Sequence, residues 1–412
     1  LVKVSPFKAI RPKEAIADKL ASLPYDVLNT QEARELGKEN PFSFLHIDKA
    51  EIDLEDTISP YDDRVYEQAQ TNLQTFLDKG WLKKDSKAFF YIYQLIMGGR
   101  KQTGIVACTS IDDYINKKIK KHEFTREEKE LDRIRHVDAC DANTSPIFLT
   151  YRHQQTIDQI VANWSIANEP LYDFTSFHDV QHRVWAIDDD ITIERLAKAF
   201  EEVEALYIAD GHHRTESAVK VGLKRREQYP DRNESAEFNS FLAVLFPENE
   251  LAIWDYNRVI DIPLETTFRQ QLETAFEVKE QPARYKPTSP KHVGMYTAGK
   301  WYELKVKAAY IPSDAVGKLD VSILQAQVLT PLFGITDIRR DERIDFVGGI
   351  RGLEELERLV DSGKQTIAFA MYPTTVEDLL QVADANEIMP PKSTWFEPKL
   401  LSGLFVHDLE SK

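Results

Sequence analysis

Apolar positions recur along this chain with two periods, one helical and one alternating, and together they predict a mixture of helices and strands. Val65, Ala69, Leu73, Phe76 and Leu77 fall on one helical face that Gly80 ends, and Asn29-Thr30-Gln31-Glu32 reads as a capping box opening a helix to about Glu39. Residues 89–96 and 103–109 are rich in β-formers and flank Gly98-Gly99, the pattern of a hairpin. Residues 146–151, 184–187 and 205–209 read as further strands. Leu196, Ala199, Phe200 and Val203 lie at helical spacing, so 184–209 runs strand, helix, strand into Asp210-Gly211. Residues 238–246 and 251–256 flank Pro247-Glu248-Asn249-Glu250 and predict a second hairpin. A buried-type strand over 366–372 precedes a helix near 376–385.

At 412 residues the chain exceeds one ordinary core, so two or three are expected. The composition and pattern divide it into an N-terminal α/β region, 1–115, a core region, 116–280, and a C-terminal α/β region, 281–412. The charged, Pro-containing stretch from Glu280 to Lys291 is the expected soft joint of the second half, with 112–121 as another. Two cysteines, Cys108 and Cys140, allow at most one bridge and no Cys-x-x-Cys motif, which points to a reducing cytoplasm. No apolar run of about 18 residues or signal-like start occurs, so no membrane is expected. A net charge of -16 repels nucleic acid over most of the surface, so any phosphate must be held locally.

The sharpest chemistry lies at Asp210-Gly211-His212-His213-Arg214, between a strand and a helix. Glycine lets a backbone approach a ligand closely, a helix N-terminus offers free N–H groups, and imidazoles and a guanidinium add donors for phosphate oxygens. Two other readings stand beside this one: Asp210 caps the helix and the histidines only satisfy local bonds, or Asp210, His212 and His213 bind a metal. A second cluster is Lys121-His122-Glu123, followed by Thr125-Arg126-Glu127-Glu128, a capping box that predicts a helix from about Arg126. Lys129, Arg133 and His136 then share one helical face, while Leu131 and Ile134 are expected to seat the other in the core. The alternative is an ordinary exposed helix whose acids pair with these cations.

Asp26 in Leu23-Pro24-Tyr25-Asp26-Val27 and Glu51 are further candidate carboxylates. Gly348-Gly349-Ile350-Arg351-Gly352 reads as a phosphate loop or a plain turn, and Lys392 and Lys399 lie in or beside a rigid stretch, 389–396, able to close over a ligand. Gly-x-x-x-x-Gly-Lys-Ser/Thr, Gly-x-Gly-x-x-Gly and Gly-x-Ser-x-Gly are absent.

The strings at 7–12, 23–27, 40–46, 121–125, 209–214 and 389–404 together resemble a widespread prokaryotic family catalogued as a domain of unknown function. More distantly, the Asp210 to Arg214 box is similar to the phosphate-binding box of the ParB and sulfiredoxin superfamily, whose free L-serine kinases carry the same Asp-Gly-His-His-Arg string. His212 stands where sulfiredoxins have their cysteine, and no DNA-binding helices of the ParB type are found, so neither of those activities is implied. The resemblance implies an α+β fold with a mixed-sheet, ParB/sulfiredoxin-like nucleotide-binding core.

It also implies a phosphotransferase that uses ATP or ADP with Mg2+ to phosphorylate a small hydroxyl metabolite, free serine foremost. In that reading Gly211, His212, His213 and Arg214 hold the donor phosphates, with Lys121, Lys129 and Arg133 neutralising charge. Glu123 is base or magnesium contact, His122 and Asp210 complete the catalytic set, and Asp26 and Lys392 bind the acceptor. The partners are then a nucleotide and a small molecule, with no nucleic acid. A non-catalytic nucleotide sensor and a metal-dependent hydrolase built on His122, Glu123, His212 and His213 are the alternatives.

Overall fold

The hairpin expected around Gly98-Gly99 forms: strands Phe90–Met97 and Arg100–Ser110 pair antiparallel, both glycines taking positive φ at the turn. The computed structural model describes residues 1–412, and the chain divides into two compact units. The first comprises residues 1–120, 124–251 and 398–412; the second comprises 121–123 and 252–397.

The hairpin sits inside the nine-stranded sheet of the first unit. Its main path runs Ile119–Lys120, Leu206–Asp210, Ile147–Tyr151, Ser240–Pro247, Arg100–Ser110, Phe90–Met97, Val180–Ile187, Tyr172–Ser176, and Val4–Ser5 also pairs with Arg100–Ser110. Two pairings are parallel, Leu206–Asp210 with Ile119–Lys120 and Ser240–Pro247 with Ile147–Tyr151, so the sheet is mixed. Helices Gln155–Ala167 and Asp190–Glu201 seal it, with Ile157, Ile160, Leu196 and Phe200 joining Ile105, Leu149 and Leu245 in one core. A four-stranded sheet of Leu82–Lys84, Ala9–Pro12, Val406–Asp408 and Ala142–Asn143 completes the unit. Against it pack Val65, Ala69, Leu73 and Phe76 of helix Asp63–Asp78.

The second unit holds a six-stranded sheet, in the order Phe276–Gln281, Lys300–Val306, His292–Thr297, Ile367–Ala370, Tyr256–Ile260, Ile344–Gly348, every pairing antiparallel. Helix Gly352–Asp361 covers it through Leu353, Leu356 and Leu359. The fold is therefore mixed α and β, with a mixed sheet and two further sheets.

Four local expectations change. Residues 247–250 do not turn a hairpin. Strand Ser240–Pro247 is flanked on both edges by partners, so no edge is left for a returning strand; a 3-10 turn over Glu248–Glu250 follows, and Tyr256–Ile260 pairs inside the second unit. The stretch from Glu280 to Lys291 is not a joint between units, because it links two strands of one sheet and Tyr285 packs on that sheet's core. Helix Glu127–Cys140 has no side-chain cap; Thr125 Oγ1 donates to Glu130 Oε2 at 2.9 Å instead. Its orientation also departs in part from expectation: Ile134 packs on a core with Val137, Val221 and Phe238 as foreseen, but Arg133 and His136 are buried too and Leu131 is exposed. Cys108 and Cys140 are buried free thiols, and no helix is long and apolar enough to cross a membrane.

Candidate functional site

The strand, turn and helix around Asp210 form as the sequence predicts, with strand Leu206–Asp210, Gly211 at φ 92° and helix His212–Gln228. Asp210 Oδ1 accepts from Gly211 N–H at 2.9 Å and Thr215 Oγ1 donates to Gly211 O at 2.9 Å, which fixes the first turn. A Cβ on Gly211 would come within 3.2 Å of Arg214 Nε, so the missing side chain makes room for the guanidinium to fold back over the turn.

Arg214 points from there into a narrow cleft of the first unit lined by Tyr25, Arg133, His136, Thr144 and Ser145. Its Nη1 donates to Pro146 O at 2.6 Å, while its Nε is buried without a hydrogen-bond partner. Tyr25 has two cations near its ring: the Arg133 Cζ is 3.9 Å from the centroid and the Arg214 Cζ 6.0 Å. Arg133 is buried and held by Asp132, whose Oδ2 accepts from Arg133 Nε at 2.9 Å and whose Oδ1 accepts from Tyr66 at 2.6 Å. Burial alone would ease Arg214 toward losing its proton. The carboxylate of Asp26, then Tyr25, Asp210 and Asp48, outweigh burial and hold its pKa above the ordinary value. Both guanidiniums are firmly charged.

Behind the cleft, buried Asp48 accepts from Thr144 Oγ1 at 2.7 Å and Ser145 Oγ at 2.5 Å. His136 Nε2 donates to Ile47 O at 2.8 Å, and burial followed by the Arg133 charge lowers its pKa, so it is neutral. His213 is neutral too. Its Nε2 accepts from Arg126 N–H at 3.0 Å, and burial with the charges of Lys129 and Arg126 pushes its pKa down to about 4 against the pull of Asp26. With Nε2 occupied, His213 offers a ligand only its Nδ1 hydrogen.

Of the residues singled out in the sequence, Asp26, Lys129, Arg133, Asp210, Gly211, His212, His213 and Arg214 belong to the first unit. His212 is buried at the start of its helix, and Asp26 and Lys129 are exposed. Lys121, His122, Glu123 and Lys392 belong to the second unit, where His122 O accepts from Met389 N–H at 2.8 Å and Lys392 O accepts from Arg258 Nη2 at 2.8 Å. Glu51 is buried and paired with Lys49 at 3.4 Å. Gly348-Gly349 is a tight turn whose Gly349 N–H donates to Asp255 O at 2.7 Å. Tyr25, Asp48, Thr144 and Ser145 were not foreseen. The one signal for Tyr25 was its place beside Asp26 after Pro24, which holds extended backbone at ψ 147° before the 3-10 turn Tyr25–Val27.

Residues 4–322 match a family profile described as protein of unknown function, DUF1015. No curated protein gives a match. Among solved structures, a free serine kinase in complex with AMP aligns at 13% identity and TM-score 0.34, over 73% of this chain and 92% of that one. A mutant free serine kinase in complex with ADP aligns at 14% identity and TM-score 0.36, over 75% and 95%. A C-terminally truncated SbnI from Staphylococcus aureus aligns at 11% identity and TM-score 0.38, over 72% and 85%.

Proposed function

The chain belongs to the family described as protein of unknown function, DUF1015, and we propose that its first unit carries the phosphate-handling site of a nucleotide-dependent phosphotransferase acting on a small hydroxyl metabolite, free serine foremost. The observation that carries this reading is the cleft of Arg133, Tyr25 and Arg214, whose space of about 20 Å3 admits a single phosphate oxygen and not a whole nucleotide, and where a charged guanidinium keeps a buried Nε–H with no acceptor. Buried donors are almost always paired, and a guanidinium beside a second guanidinium finds its best partner in an anionic oxygen. The Gly211 turn opens helix His212–Gln228 next to Arg214, so backbone N–H groups and a helix dipole favour the same charge. This is the part of the site that supports a ParB/sulfiredoxin-type phosphate box.

In this reading Arg214, Arg133 and the His213 Nδ1 hydrogen take phosphate oxygens of ATP or ADP, and exposed Lys129 adds charge at the mouth. Asp26, whose field already acts on both Arg214 and His213, accepts the proton of the acceptor hydroxyl. The hydroxyl oxygen forms a bond to the terminal phosphorus as the bond from that phosphorus to the nucleotide oxygen breaks, leaving a phosphate ester and the shortened nucleotide. A magnesium ion arriving with the nucleotide would supply further charge neutralisation, and Asp210, whose Oδ1 accepts from Gly211 N–H, is one hard oxygen donor beside the turn.

The test incubates the full chain with magnesium, ATP or ADP and a panel of small alcohols including serine, with mass spectrometry of the products. A phosphorylated alcohol is expected from the parent, with D26N at least about a hundredfold slower. Nucleotide-induced thermal stabilisation with no phosphorylated product would reject transfer in favour of a sensor, and full turnover by D26N would reject Asp26 as base.

A further inference from the structure

A second cavity of the first unit, about 350 Å3, opens between helix Gln155–Ala167 and the sheet strands Phe90–Met97, Arg100–Ser110 and Ile147–Tyr151. It shares no lining residue with the Arg214 cleft. Its volume falls in the range of small-molecule sites. Ile105, Val161, Ala162 and Pro247 supply apolar wall, while Asp158 enters from the helix and Glu250 from the turn after strand Ser240–Pro247.

Of the polar lining residues, Asp158 and Glu250 bring carboxylates, Ser165 spends its hydroxyl on Ala162 O at 3.1 Å, and Thr103 and Asn249 complete the wall. Gln94 spends its Nε2 on Thr103 Oγ1 at 3.0 Å, leaving Oε1 buried with no partner. Tyr151, 1% exposed and packed edge-on against Phe200, brings a phenol to the same lining. No Lys, Arg or His is among the lining residues; Arg100 acts on Glu250 from outside, its Nη1 donating to the Glu250 carbonyl at 2.5 Å. Burial, with Asp158 adding to it against Arg100 and the Thr103 N–H, holds the Glu250 carboxyl up at about 7, and burial raises Asp158 as well.

We propose that this cavity is a second small-molecule site, for a compact organic ammonium: a primary amine on a short aliphatic body, its nitrogen answering Glu250, Asp158 and the Gln94 amide oxygen. Three donors on one ammonium match three acceptors with no cation among the residues lining the cavity, Arg100 and His153 acting on Glu250 and Asp158 only from outside it, and the aliphatic body fills walls that a bare metal ion would leave unused. The volume is more than ten times that of a single water, about 30 Å3, which likewise selects an organic cation over an ion.

Calorimetric titration of the full chain at pH 8 with n-butylammonium and 1,4-diaminobutane, with n-butanol as the uncharged control, tests this. Both amines are expected to bind and butanol is not, with affinity at least about tenfold lower in E250Q and separately in D158N, the loss expected for one charged contact. E250Q keeps the shape of the protonated acid, and unchanged melting at pH 5 confirms that it folds. R214A is expected to bind the amines as the parent does, which separates this site from the phosphate cleft. No heat from either amine, parent-like affinity in both E250Q and D158N, or displacement of the amine by equimolar magnesium chloride would each overturn the assignment.

Discussion

Gly211 answers two demands at once: φ at 92°, which L side chains rarely adopt, and space for the Arg214 guanidinium within 3.2 Å of where a Cβ would stand. G211A is expected to lose about 1–2 kcal/mol in urea unfolding and to weaken ADP binding, because both strain and a displaced Arg214 follow from one methyl group. If G211A kept parent stability and affinity, the turn would not be holding Arg214. His213 makes a separate prediction. Its folded-state pKa is depressed to about 4, so its contribution to stability is present above the unfolded value near 6.5 and is lost as pH falls from there toward 4. Between pH 7 and pH 4.5 the parent is therefore expected to lose more stability than H213Q, measured by urea unfolding at both pH values. Parallel losses would show that His213 does not titrate as described. The Asp210 to Arg214 turn was legible in the sequence because strand end, glycine and helix start are neighbours in the chain. Tyr25 was not, because its role comes from two arginines brought to it from positions more than a hundred residues along.

Helix Glu127–Cys140 shows why elements were harder to orient than to find. Its charges read as a solvated face, yet they are used against helix His212–Gln228: Glu130 pairs with Lys220, Asp138 with Lys224 at 3.1 Å and with Arg225 at 2.7 Å, and Ser217 Oγ donates to Glu130 O at 3.0 Å. Sequence spacing gives the face but not the partner that faces it. The pairing decides the site, since it turns Arg133 and His136 inward while Leu131 stays in solvent. Arg225 is the buried member of this seam, 2% exposed, donating to Asp138, Asp141 and Ser411. R225A leaves Asp141 buried without its cation and is expected to cost about 3 kcal/mol or more, read by chemical denaturation. A loss under about 1 kcal/mol would mean that the seam is not what aligns the two helices.

At the scale of the whole molecule, a linear reading draws consecutive regions, whereas the first unit gathers three separate stretches of chain. Strand Val406–Asp408 pairs with Ala9–Pro12 and with Ala142–Asn143, Ser22 and Ser402 bridge, and Ser411 N–H donates to Asp141 at 3.0 Å. Nothing local in 398–412 announces those partners, because strand pairing over such separations is decided by packing and not by propensity. Deleting 398–412 is expected to abolish the cooperative unfolding transition of the first unit, since Leu404, Phe405 and Val406 are buried in it; a truncated chain with an unchanged transition would contradict that dependence. With a net charge of -16, the protein can hold a polyphosphate only where enclosed guanidiniums override the surrounding field. Calorimetric titration of ADP into the parent and R214A, with circular dichroism confirming that both are folded, tests that claim most directly. The parent is expected to bind and R214A to lose at least about a hundredfold in affinity, the scale of a charged contact removed from a buried site; equal affinity in the two proteins would mean that Arg214 does not hold the phosphates.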